Sequence, residues 1–232
     1  MGCDIHLFVE KKINGKWLAV KGVNEPEIKE AEEFIENIKA RGESADYWEK
    51  RIEELRQGTQ GYIWDGRHYL LFEALAGVRA NHEITPISEP KGLPEDISAE
   101  VKDSAEGWGG DGHSHSYLTA AELNAYKWDQ TIAREGFVNV HQFKEFQEKG
   151  SPSGWCGSVG GGGVRHVTNH KMKKQIEDDF PFGDSSSYYT LVRWEKSLRE
   201  ALGSFCSWSL PELNKLVEGN PENVRIVFWF DN

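Results

Sequence analysis

The opening stretch Cys3-Asp4-Ile5-His6-Leu7-Phe8-Val9-Glu10 alternates, with Ile5, Leu7 and Val9 on one side and Asp4, His6, Phe8 and Glu10 on the other. That is the period of a half-buried strand. It puts the Asp4 carboxylate and the His6 imidazole on one face, their backbones roughly 7 Å apart. Such a pair can share a cation or pass a proton. An edge strand with its polar face in water gives the same pattern. A second polar knot, Asp111-Gly112-His113-Ser114-His115-Ser116, contains His-x-His. In extended backbone the two imidazoles point the same way and can chelate one divalent ion. A solvent loop with chance histidines is the plainer reading. The expected metal set is therefore Asp4, His6, His113 and His115, holding zinc or manganese. Asp111 is placed to orient a histidine or activate water. Gly109, Gly110 and Gly112 would let backbone approach a ligand closely.

Asn81-His82-Glu83 is a third polar cluster, and His82 joins Asp111 among the candidate catalytic groups. Arg67, His68 and Arg79 are positive groups suited to phosphate, arginine above all because its fork is planar and permanently charged. Trp64 and Trp108 offer faces on which a base can stack. Ion pairing with the many carboxylates, and ordinary packing, are the competing roles. His166-x-x-x-His170 would align on a helical turn but lacks an amphipathic setting. The glycine run Gly160–Gly163 has no Gly-Lys-Ser/Thr ending and reads as a lid or linker. Cys156 has no evident base beside it.

The elements that must position these groups follow from periodicity and punctuation. Asn14-Gly15 marks a hairpin turn, with Lys16 to Val20 as the returning strand. Residues 25–57 read as a charged helical hairpin inserted between core elements, either a solvated arm over the sheet or an oligomer contact. Leu70 to Leu75 is a short apolar helix stopped by Gly77, and Ser98 caps another to about Ala105. Thr119 and Glu122 form a capping box for a helix through about Ala133, and Asn139 caps the next. Tyr188 to Trp194 is a strand candidate and Ser197 to Leu202 a helix. Ser209 and Glu212 form a further capping box. Val224 to Phe230 is apolar on both faces and reads as a central, fully buried strand, with Asp231 at its end. The expected fold is α+β: one domain over residues 1–232, with a mixed sheet of about four or five strands (the N-terminal hairpin and the C-terminal strands) and helices on one side.

The totals narrow the function. A net charge of -11 over 232 residues argues against duplex nucleic acid, which needs a basic surface. It leaves room for a small anionic ligand in a local basic pocket. No apolar run reaches membrane-span length and no leader opens the chain, so a cytoplasmic protein without a membrane segment is expected. Three scattered cysteines, Cys3, Cys156 and Cys206, fit a reducing compartment.

The order Asp4-x-His6, Asn81-His82-Glu83, Gly112-His113-x-His115 resembles that of calcineurin-like phosphoesterases, which implies metal-dependent phosphate-ester hydrolysis. The Gly-Asp element between the first two is not clear, Asp65-Gly66 runs in the opposite order, and a long βαβ pattern is missing. A wider resemblance rests on Met1-Gly2-Cys3-Asp4-Ile5-His6, Tyr69-x-Leu71-Phe72-x-x-Leu75-Ala76-Gly77-Val78-Arg79, Gly92-Leu93-Pro94, Asp111-x-His113-Ser114-x-Ser116 and Val224-Arg225-Ile226-Val227-Phe228-Trp229-Phe230-Asp231-Asn232. Together these look like a family of bacteriophage and prophage proteins. That resemblance implies a phage accessory protein acting in the host cytoplasm, in a setting where nucleotide signals of bacterial defence are destroyed or sequestered. The leading expectation is a metal-dependent hydrolase of a nucleotide or other phosphate-containing small molecule. Its rivals are a non-catalytic nucleotide sponge and a protein-binding inhibitor working through the acidic hairpin.

Overall fold

The computed structural model describes residues 2–178 and 187–232. In chain order its strands are β1 (Ile5–Ile13), β2 (Lys16–Val20), β3 (His113–Thr119), β4 (Thr131–Val138), β5 (Arg165–His166), β6 (Tyr188–Ser197) and β7 (Val224–Phe230). The helices are α1 (Glu25–Ala40), α2 (Asp46–Arg56), α3 (Tyr69–Ala76), α4 (Ala99–Gly107), α5 (Ala120–Ala125), α6 (Val140–Lys149), α7 (Asn169–Glu177), α8 (Leu198–Leu202) and α9 (Leu210–Lys215), with a π-helical turn at Phe205–Ser209. The chain divides into two compact units: Met1–Lys127 with Leu202–Asn232, and Trp128–Ala201. No described helix is long and apolar enough to cross a membrane.

The first unit is built on a four-stranded sheet in the order β2-β1-β7-β3, antiparallel throughout. Asn14 and Gly15 both take positive φ, as the two-residue hairpin turn requires. All seven residues of β7 are buried. Phe230 meets Phe72 of α3 at 5.0 Å on one face. Val227 and Trp229 pack with Val101 and Ala105 of α4 on the other. The α+β class holds, while helices cover both faces of the sheet where one side was expected. A strand apolar on both faces offers neither to water, so each face needs a cover.

Buried charge locks the same strands. Arg225 pairs in register with Glu10 and donates to its Oε2 at 2.7 Å. It also donates to Asp96 at 2.8 Å and lies 3.9 Å over the Trp17 ring. The Glu10 carboxylate takes a further 2.7 Å bond from the Ser98 N–H.

The inserted hairpin forms as expected. Asn24 caps α1 by accepting from the Glu27 N–H at 3.1 Å. Ala31, Ile35 and Ile38 pack against Ala45 and Ile52 in a small core of the hairpin's own. Paired bonds between Gly22 and Thr59, at 3.0 and 2.8 Å, close its base.

The second unit carries a three-stranded sheet in the order β4-β6-β5, with the only parallel pairing between described strands at β5–β6. Val138, Phe143, Met172, Val192 and Trp194 are among its core. Here the local reading needs correction. The Thr119–Glu122 capping box is present, but its helix stops at Ala125. Residues 131–138, assigned in part to that helix, form β4, because Ile132 and Val138 reach the core only in the extended ladder with β6. Ser209 and Glu212 make no capping box; Ser209 keeps helical backbone and donates its hydroxyl to the Ile63 carbonyl at 2.6 Å. His166 and His170 share no turn, since one lies in β5 and the other in α7.

Candidate functional site

Strand pairing decides what stands beside Asp4 and His6. His6 lies opposite Trp229. The Asp4 N–H donates to Asp231 Oδ1 at 2.8 Å, and the Asp231 N–H to the Asp4 carbonyl at 3.2 Å. This brings Asp231 Oδ2 to 3.2 Å from His6 Nε2. Both side chains are partly exposed, His6 by 23% and Asp231 by 18%. Trp108, just past α4, lies against the His6 ring with centroids 4.0 Å apart. The result is an imidazole with a carboxylate on one nitrogen and an accessible indole on its face.

Asp4 itself is engaged. Arg67 grips it with a fork, Nε to Oδ1 at 2.7 Å and Nη2 to Oδ2 at 2.6 Å. The Arg67 bond holds the Asp4 carboxyl below its ordinary range, and Asp4 in turn raises the guanidinium. Gly2 makes room for this: a Cβ there would come within 2.7 Å of the Arg67 guanidinium. With Asp4 ionised and bound on both oxygens, a cation could use it only by displacing Arg67.

The two mid-chain histidines part company. The pairing of β3 with β7 slips between His113 and Ser116, and Ser114 takes a positive φ of 51°. This bulge inserts an extra residue. His113 therefore stands opposite Phe230, with ring centroids 6.1 Å apart, whereas His115 stacks on Trp229 at 5.8 Å. Phe230 and Trp229 are neighbours on one strand and face opposite sides. The expectation that His113 and His115 share a face is thus corrected, and the bulge is the reason. His6 also stacks on Trp229 at 5.8 Å, so the β1 and β3 histidines approach one indole from the two strands beside it. Burial, helped by the charge of His113, lowers the His115 pKa and favours a neutral ring at neutral pH. Two buried nitrogens, Trp229 Nε1 and His113 Nε2, have no hydrogen-bond partner among the described residues. No group of three His, Cys, Asp or Glu side chains converges as a metal centre among those residues.

The other candidates fall elsewhere in the unit. Asp111 sits in an exposed turn, its N–H donating to the Trp108 carbonyl. His82 Nδ1 lies 2.8 Å from Glu73 Oε2. Burial alone would raise the Glu73 carboxyl, but bonds from the N–H groups of Asn81, His82 and Ile84 and from the His82 ring outweigh it and leave it lowered. That arrangement ties down the loop after α3. Arg79 lies 5.8 Å over the Tyr69 ring. His68 immediately precedes α3 in extended backbone and meets the edge of Trp64 at 6.5 Å. Trp64 packs on Phe205 and donates to the Gly66 carbonyl at 2.6 Å, away from Trp108 in sequence and role.

The residues missed in the sequence are Asp231 and Trp229, which complete the site through register. Asp231 was visible as an acid at a strand end, but its partner depends on the antiparallel alignment of β1 with β7. No family model matches the chain, and neither a curated protein nor a solved structure matches it.

Proposed function

We propose that the strand-end cluster of His6, Asp231, Trp108, His115 and Arg67 binds a phosphate-containing small molecule of the nucleotide class and hydrolyses it. The observation that carries this reading is the His6–Asp231 pair at 3.2 Å, set against an accessible tryptophan. Asp231 orients the imidazole, which lets His6 take a proton from an attacking water and return it to the leaving group. Trp108 offers a stacking face for a base. Neutral His115 supplies a donor at the same indole wall. Arg67, already fixed by Asp4, presents its remaining N–H groups to an anion. The motif resemblance adds the setting, a phage accessory protein that removes a nucleotide signal in the host.

Sequestration without turnover is the second reading, favoured by Asp4 being committed to Arg67. One experiment separates the two. The purified chain is incubated with a panel of cyclic and linear nucleotides, with and without Mn2+ or Zn2+, then heated and chromatographed. Altered nucleotide that disappears in His6→Ala supports hydrolysis. Nucleotide released intact supports sequestration, and absence of any retained or altered nucleotide rejects both.

A further inference from the structure

The α1–α2 hairpin and the segments beside it carry two adjoining depressions that the strand-end site does not use. One, of about 290 Å³, is walled by Ala31, Phe34, Trp48 and Leu55. The other, of about 230 Å³, lies between the start of α1 and the Ile63–Gly66 turn, with Trp64 and Trp208 in its wall. Glu27 and Glu30 line both, so the two run together as one trough. Neither exceeds the roughly 300 Å³ at which pockets begin to enclose a small molecule. Each suits an anchoring side chain better.

The aromatic surface here is concentrated. Phe34 is 42% exposed and Tyr47 72%, and both rings contact Trp48, at 5.0 and 5.3 Å. Single exposed apolar residues are ordinary, whereas a cluster beside a groove marks a contact surface. The charge around it is one-sided. Residues 25–57 hold eleven acidic and six basic side chains. Arg51 answers Glu27 at 3.0 Å, while Glu30 and Asp65 have no cationic partner among the described residues. Burial raises the Glu27 carboxyl, with smaller contributions from the Asp65 and Glu30 charges nearby.

We propose that this trough docks a positively charged amphipathic segment of a protein partner, its apolar side chains seated on Phe34, Trp48 and the Trp64–Trp208 wall and its Arg or Lys groups on Glu30 and Asp65. An amphipathic segment uses both properties at once, with apolar anchors for affinity and charge for orientation and encounter rate. The proposal is independent of the strand-end chemistry.

The test uses the full chain and a fluorescent synthetic peptide of about five helical turns with Leu and Arg at helical spacing. Controls are the same peptide with Glu for Arg, and a poly-Arg peptide of equal charge. Fluorescence anisotropy is expected to show saturable binding of the Leu/Arg peptide, weaker by roughly tenfold in Phe34→Ala and in Glu30→Lys, and none of the Glu peptide. Circular dichroism establishes that both variants keep the fold. Absent binding, equal binding by the Phe34→Ala variant, or equally tight binding of poly-Arg would overturn the proposal. So would a concentration-dependent dimer lost in Phe34→Ala, which would assign the trough to a second copy of the chain.

Discussion

Individual side chains in this protein divide into those that hold the fold and those that are exposed enough to meet a ligand. Arg225 belongs to the first kind: it is 4% exposed and faces a fully buried Glu10. Replacing it with Met strands a carboxylate in the core, at a cost of about 4 kcal/mol. Urea unfolding should show that loss in Arg225→Met and recover much of it in the double variant with Glu10→Leu. Glu73 works the same way through hydrogen bonds. Its folded carboxyl is lowered, so its contribution is complete above the ordinary glutamate value of 4.5 and fades as pH falls through the folded value. Glu73→Gln should therefore be less stable than the wild-type chain by about 2 kcal/mol at pH 7. The gap should close toward pH 3 in parallel urea titrations; a gap that widens in acid would contradict this assignment. The Asp4–Arg67 pair is of the second kind. With side chains 43% and 50% exposed it is screened by water and adds little to stability; what it does is fix the position of Arg67.

At the scale of elements, most of what was legible came from alternation, turns and caps. The β1–β2 hairpin, the buried β7, α3 ending at Gly77 and the α1–α2 hairpin all carry local signals strong enough to read. β4 did not, because a capping box upstream invited a longer helix and only pairing with β6 reveals the strand. The site was half legible for a related reason. Asp4 and His6 share a face by simple period, whereas the partition of His113 from His115 depends on a bulge that no spacing rule records. Asp231 and Trp229 enter through register, which is tertiary information. The hairpin's independence can be tested directly. Its base is already closed by the Gly22–Thr59 bonds, and its core is its own. Excising residues 24–57 and joining the ends with Asn-Gly should leave a folded chain with a cooperative thermal transition and retained hydrogen-exchange protection in β1 and β7. A chain that fails to fold would show that the hairpin is part of the sheet's core.

On the scale of the whole molecule, charge and cooperativity are unevenly shared. Residues 128–201 carry ten acidic and ten basic side chains, so the net -11 falls on the unit that holds the candidate site and the trough. Such a field slows a free anion, and the local cations must overcome it. The second unit has a separate core around fully buried Met172. Met172→Ala should cost that unit about 3 kcal/mol. Hydrogen exchange on the full chain should then lose protection in β4, β6 and α6 while β1 and β7 keep theirs; loss spread evenly over all of them would contradict the division.

The site itself is most directly tested by nuclear magnetic resonance. The chain, labelled with 15N in its tryptophans and histidines, is titrated with the nucleotide that the panel selects. Binding at the strand end predicts that the exposed Trp108 indole N–H shifts, together with the ring nitrogens of His6 and His115, and that His6→Ala abolishes the shift. Saturable binding that leaves those three residues unmoved would show that the ligand, and the chemistry, lie elsewhere.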